Sequence, residues 1–462
     1  MRPLILIALL MTAAIPAHAQ KWVTSWAASA QGPYPSGNAT AQPDLRFALP
    51  SPEAGARDQT FRLVIKPELW GNRVRLRFSN AFGTKPVTFD GAFLGLQTSG
   101  ATLMPQSNRP VLFAGKKAVT VPPGGQAWSD AVTLPWAGNP LAAELVGRKL
   151  AVSFHVVGET GPVTWHAKAL QTSYVTAPGA GSLGELEDDG AFPNSTTSWF
   201  FLDALDVQAP DAKLVVCFGD SITDGTSSTL NGDDRWPDVL ARRLRAAGGA
   251  RTGVVNAGIG GNQVVGPAEY SPTKPAPGGP SAASRLERDV LTLSGVTHVI
   301  WLEGINDLST NGNATVDQVR DGMKAGVARL RAKLPGVRVL GATLTSIVGT
   351  TSEAHKPYEV EQNRRALNDF IRNNAGLFDG IVDFDAATAD PVTRAMRPEF
   401  IPGSTIGGPG DGLHPNRAGY LAMGEAVDLR LLTTGPAAAV ALRPRPRPRP
   451  VAPAAPADSV PN

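Results

Sequence analysis

Cysteine is almost absent: among 462 residues only Cys217 carries a thiol, so no disulfide can form within the chain. Aromatic residues are scarce at 6%, which argues against an extended aromatic binding surface. No run of residues approaches the ~20 apolar positions of a membrane-spanning helix. Neither His-Glu-x-x-His nor a paired-cysteine pattern occurs, so no metal site is expected, and no cofactor motif is found either. Strong charge of one sign is missing as well. The formal charge is +3. Taking away the single charge of Arg2 and the net three of the tail (Arg443, Arg445, Arg447 and Arg449 against Asp458) leaves −1 for the body. A near-neutral body excludes nucleic acid as an expected partner, because phosphate binding needs a concentrated basic face.

The chain does begin like an exported protein. Arg2 gives a positive start, Leu4 to Ala14 are almost wholly apolar, and Ala17-His18-Ala19 offers an A-x-A cleavage pattern. Residues 1–19 therefore read as a signal peptide, with a mature start near Gln20 and a secreted or periplasmic location. Cys217, flanked by Leu214, Val215, Val216 and Phe218, reads as a buried and inert thiol.

Length alone favours two domains. Residues 20–210 alternate as β-structure does: Val74, Leu76 and Phe78 share one face, and Arg73, Arg75 and Arg77 the other. Leu150, Val152, Phe154 and Val156 repeat the pattern, and short runs such as Val119–Val121 and Trp199–Leu205 lie between turn residues. An antiparallel, sandwich-like domain is expected.

From residue 211 to 434 apolar runs (Leu214–Phe218, Val254–Val255, Val299–Leu302, Val337–Leu340, Ile381–Phe384) alternate with helical segments. Val316, Val319, Met323, Val327 and Leu330 keep a helical period. Trp236–Leu244 and Arg364–Ile371 fit two further helices. This alternation predicts an α/β domain with a mostly parallel sheet, whose chemistry lies beyond the carboxyl ends of the strands. Residues 435–462, with Arg-Pro four times in succession, cannot build a packed element and read as a disordered tail. Its arginines would suit tethering to an anionic envelope polymer.

Four segments carry the residues that chemistry needs. Gly219-Asp220-Ser221 follows the first strand, placing a serine at a strand-to-helix turn. Serine needs a base to become a nucleophile. Asp411-Gly412-Leu413-His414 supplies an imidazole, which titrates near neutrality, with Asp411 three residues earlier to hold its other nitrogen. The bland alternative for that segment is a turn and a helix cap. Asn256-Ala257-Gly258-Ile259-Gly260-Gly261 and Gly304-Ile305-Asn306-Asp307 offer hydrogen-bond donors for an oxyanion. The remaining histidines (His155, His166, His298, His355) read as structural or exposed. Asp220, Asp224 and Asp307 read as carboxylates that hydrogen-bond turns. The loop from Val265 to Pro280 either borders the cleft or is a plain surface insertion.

In order and type these segments resemble the SGNH (GDSL) hydrolases, with Ser221, Gly261, Asn306 and His414 as the four name-giving residues. The resemblance covers about residues 212–432. It implies a flavodoxin-like three-layer α/β/α fold and a serine esterase working through an acyl-enzyme. Ser221 would be the nucleophile and His414 the base oriented by Asp411. The oxyanion hole would combine the Ser221 and Gly261 N–H groups with the Asn306 side chain. The glycine block also offers Gly260; Gly261 is preferred by its spacing from Asn256. Gly-x-Ser-x-Gly, the elbow of the α/β-hydrolases, is absent. The β-rich region resembles accessory sandwiches that precede some secreted carbohydrate esterases, which implies a polysaccharide or small-molecule ester as substrate. A lipase, lysophospholipase or general acyl esterase is the alternative, and a non-catalytic glycan-binding protein a further one. Whether the first domain binds glycan or only packs and shapes the cleft stays open.

Overall fold

The computed structural model describes residues 21–249, 251–404 and 407–432. The expected signal peptide and the Arg-Pro tail lie outside the described residues. Among the described residues no helix is long and apolar enough to cross a membrane.

The first part is built from antiparallel strands. One sheet runs Trp22–Ala27, Leu202–Gln208, Arg73–Ser79 and Val132–Thr133 in spatial order; a second is centred on Arg57–Ile65, Leu150–Glu159 and Val87–Ser99. The few aromatics are spent where the two sheets face each other. Phe78 lies 5.2 Å from both Phe89 and Phe154, Phe61 stacks on Phe154 at 5.5 Å, and Phe89 meets Phe201 at 5.2 Å. Such ring clusters add to the area they bury. The expected run Trp199–Leu205 is two strands, because Phe201 adopts a left-handed φ of 57° and breaks the extension.

The second part holds five parallel strands in the order Thr252–Gly258, Lys213–Gly219, Val296–Leu302, Arg338–Ala342, Gly380–Val382. In chain order this is 2-1-3-4-5, the flavodoxin-like arrangement. Helices cover both faces. Trp236–Ala246, Phe384–Thr388 and Arg417–Ala426 pack together, as do Val316–Lys333 and Tyr358–Arg372. Val319, Met323, Val327 and Leu330 form the buried stripe of Val316–Lys333. Phe384, expected to end a strand, instead opens a helix, because the Asp383 side chain caps it by accepting from Ala386 N–H.

The arginine face of Arg73–Ser79 turns toward the second part. Arg77 pairs with Asp203 at 2.6 Å and donates to Thr292 Oγ1 at 2.8 Å. Arg75 pairs with Asp206 at 2.8 Å, and Ser294 donates to the same carboxylate at 2.7 Å. Lys66 reaches Asp238 at 3.0 Å. Alternation of apolar and charged residues was therefore legible, but the charged face is covered.

Candidate active site

All four segments meet beyond the carboxyl ends of the first three strands. The strand Lys213–Gly219 runs into a single helical turn, Ser221–Asp224. The turn is tight: a Cβ on Gly219 would stand 2.5 Å from the Leu302 carbonyl oxygen, so only glycine fits. Asp220 caps the turn, its Oδ1 accepting from Ile222 N–H at 3.0 Å. Asn256 clamps the turn from the neighbouring strand, donating to Thr223 O at 2.6 Å and accepting from Gly258 N–H at 2.9 Å.

Ser221 Oγ lies 2.8 Å from His414 Nε2, and His414 Nδ1 lies 2.6 Å from Asp411 Oδ2. The carboxylate accepts a hydrogen bond from Nδ1–H, which leaves Nε2 as the acceptor for the serine hydroxyl. Asp411 Oδ1 accepts from Leu413 N–H at 2.9 Å and His414 N–H at 2.8 Å. Burial would raise the Asp411 carboxyl, but the His414 ring and these two amides hold it well below the ordinary carboxylate range. The cap of the alternative reading is also present. Asn416 caps Arg417–Ala426 by accepting from Ala418 and Gly419 N–H, and this fixes the loop that carries His414.

The glycine block follows Thr252–Gly258. Gly260 N–H is committed to Asp224 Oδ2 at 2.9 Å. Gly261 has a φ of 82° and lines the cleft, and its N–H donates to no group among the described residues. Asn306 stands on the turn Ile305–Leu308 after the third strand, and its Nδ2 donates to Asn262 O at 2.9 Å. That bond uses one amide proton and aims the group at the cleft, which Asn306 also lines.

The three flanking carboxylates hold turns. Asp307 accepts from Val264 N–H at 2.8 Å and Val265 N–H at 2.9 Å. Burial pushes Asp307 up to about 6 and Asp220 up to about 7. The loop from Val265 to Gly279 borders the cleft rather than standing apart as a surface insertion.

Several residues escaped the sequence reading. Arg285, fully buried, ties the ends of three strands together. It donates to Gly219 O and Ala257 O at 2.8 Å each, to Asn262 Oδ1 at 2.7 Å, and pairs with Glu303 at 3.0 Å. From the β-rich part, His166 Nε2 lies 3.2 Å from Asp224 Oδ1, and Gln31 donates to Gly260 O at 3.2 Å. Lys168 lines the cleft beside Ser221, as do residues 37–40. His355 lines it too, buried, its Nδ1 2.8 Å from Ser352 Oγ and its imidazole pushed down to about 4 chiefly by burial. No local pattern marks these positions: Arg285 and His355 reach the site only through the folding of the second part, and Gln31, residues 37–40, His166 and Lys168 only when the two parts dock.

The cleft is about 1470 Å³, and amide and hydroxyl side chains, among them Asn38, Thr40, Gln263, Asn311, Asn313 and Gln318, share its wall with glycine, alanine and proline. Among the described residues no group of three or more His, Cys, Asp or Glu side chains is placed to hold a metal. Cys217 is fully buried, and burial raises its thiol well above the ordinary range.

Residues 217–422 match the GDSL-like Lipase/Acylhydrolase family. No curated protein matches. Among solved structures, the chain is similar to the native aryl esterase of M. smegmatis (22% identity over 46% of this chain and 96% of that one, TM-score 0.36). It is similar to a carbohydrate acetylesterase from Sinorhizobium meliloti (16%, 46% and 95%, TM-score 0.35). A third is the lipase/acylhydrolase from Enterococcus faecalis (23%, 46% and 92%, TM-score 0.35).

Proposed function

Since residues 217–422 belong to the GDSL-like lipase/acylhydrolase family and the chain is a carboxylic ester hydrolase, we propose that it is a secreted serine esterase that removes acetyl or other short acyl groups from a carbohydrate. The observation that carries the mechanism is the continuous chain from Ser221 Oγ to His414 to Asp411, at 2.8 and 2.6 Å, opening on the cleft.

Ser221 Oγ attacks the ester carbonyl carbon while His414 Nε2 takes its proton. The developing oxyanion receives the Ser221 and Gly261 N–H groups and the Asn306 amide. His414 returns the proton to the departing alcohol, leaving an acyl-serine. Water then attacks the acyl carbon, His414 accepting its proton and handing it back to Ser221 Oγ as the acid leaves. Asp411 stays ionised throughout and stabilises the imidazolium.

The amides and hydroxyls of Asn38, Thr40, Gln263, Asn311, Asn313 and Gln318 support a hydroxyl-rich alcohol, and a cleft whose only large aliphatic side chains among the described residues are Val265 and Leu413 offers little to grip a long acyl chain. The signal-like start supports export. Purified protein should hydrolyse p-nitrophenyl acetate, with rates falling as the acyl chain lengthens, and should release acetate from an acetylated glycan. A folded protein inert toward all of these would overturn the proposal; a preference for long chains would replace the carbohydrate with a lipid.

A further inference from the structure

Lys168 belongs to the β-rich part, yet its side chain ends beside the glycine block of the other part. Its backbone is pinned on both sides: Ser198 Oγ donates to Ala167 O at 2.7 Å, and the Arg235 guanidinium donates to Ala169 O. The lysine is 4% exposed and lines the same cleft as Ser221, Thr226 and Gly261. Its Nζ donates to Thr226 Oγ1 at 2.5 Å, and a Cβ on Gly260 would lie 2.9 Å from it.

An ammonium has three protons to give, and this one has a single hydroxyl as acceptor among the described residues. No carboxylate stands within ion-pair distance of it there, although three are near. Each has other work. Asp411 holds His414, Asp224 holds Gly260 N–H and faces His166, and Asp220 caps the Ser221 turn. Burying an unpaired ammonium costs several kcal/mol, a penalty usually offset by a partner. Burial accordingly lowers the proton affinity of Lys168 against the pull of those carboxylates.

We infer that Lys168 is a specificity-determining residue that touches the substrate: its ammonium takes a carboxylate, or another anionic oxygen, carried by the ester. The inference rests on the proposed esterase reading and adds the class of ester. It makes the β-rich part a working wall of the active site. The anion can sit on the acyl or the alcohol side of the ester.

Two matched pairs separate the sides. Mono-p-nitrophenyl succinate against p-nitrophenyl butyrate places a carboxylate on the acyl group, and p-acetoxybenzoate against phenyl acetate places it on the alcohol. The ratio of kcat/KM, anionic over neutral, is measured for wild type, Lys168→Met and Lys168→Arg. In at least one pair Lys168→Met should lower that ratio on the order of 10- to 100-fold, the worth of a hydrogen bond to a charged group, and Lys168→Arg should keep part of it. Both ratios within about twofold of wild type would overturn the inference and leave Lys168 as a positioning residue acting through Thr226. If Lys168→Met does not fold, Lys168→Arg carries the test: an unchanged ratio with the moved charge overturns it. If wild type hydrolyses none of the four esters, the esterase reading falls. Calorimetric titration of Ser221→Ala with monomethyl succinate and methyl butyrate, with and without Lys168→Met, then decides. Tighter binding of the succinate monoester that vanishes with Lys168→Met upholds the inference, and equal binding overturns it.

Discussion

Asp411→Asn tests how the base is held while disturbing little else. The asparagine keeps the shape of the aspartate, and its Oδ1 can still accept from Leu413 and His414 N–H, so the turn survives. Its amide Nδ2 must then occupy the place of Oδ2, 2.6 Å from His414 Nδ1. A donor there forces Nδ1 to accept and moves the ring proton to Nε2, where it points at Ser221 Oγ and can no longer receive a proton. The imidazolium also loses its carboxylate. At ~4 Å between charge centres and an effective dielectric of ~20, that attraction is ~4 kcal/mol, or about three decades in rate. With the tautomer penalty added, kcat should fall by roughly 10³–10⁴-fold, comparable to the ~10⁴ seen for this change in a serine-protease triad. The assay is p-nitrophenyl acetate hydrolysis at saturating substrate, with circular dichroism to verify the fold. A kcat within about tenfold of wild type would refute the role given to Asp411. Stability offers a second reading. A carboxyl whose folded value is depressed adds stability above its unfolded pKa of ~3.9, and this is lost on acidification. The variant should therefore melt below wild type at pH 7, and the gap should narrow as pH falls below about 4.

Asn306→Ala removes one of three oxyanion donors and should cost about 10²–10³-fold in kcat; an unchanged kcat would take Asn306 out of the hole. Gly258→Ala would put a Cβ 2.2 Å from the backbone nitrogen of Asp224, which cannot move without shifting the Ser221 turn. Overpacking of this kind costs about 1–3 kcal/mol, so Tm and kcat/KM should fall together, and wild-type values for both would contradict the packing described. Burial pushes Glu303 up to about 8 against the pull of Arg285, and Asp220 up to about 7. Carboxyls with raised folded values favour the folded state while protonated, and that contribution is lost as pH rises through the folded value. The Tm of wild type should therefore drop between about pH 5 and 9. Glu303→Gln should flatten that slope, and an equal slope in both proteins would contradict the assignment.

What the sequence made legible was local. Each parallel strand is a short apolar run between turn residues, and the helix from Val316 announces itself by its stripe. The candidate residues fell where strands end, so motif and fold pointed to the same places. Gly261 could be preferred to Gly260 only by spacing; the structure gives a physical difference, since Gly260 N–H is spent on Asp224. What stayed hidden was relational. Arg285 looks like any helical arginine until its guanidinium is seen among the ends of three strands. Lys168 and His166 lie more than 50 residues before Ser221, and only the docking of the two parts carries Lys168 to the cleft and His166 to Asp224. Arg75 and Arg77 show the same limit, for alternation tells that a strand has two faces but not what covers each.

The central claim is that Ser221 is the residue that becomes acylated. Incubation with a fluorophosphonate that phosphonylates activated serines, followed by intact-mass and peptide mapping, tests it most directly. One adduct per chain on the peptide containing Ser221, and none in Ser221→Ala, is the predicted result. An adduct on another residue, or labelling that persists in Ser221→Ala, would contradict it.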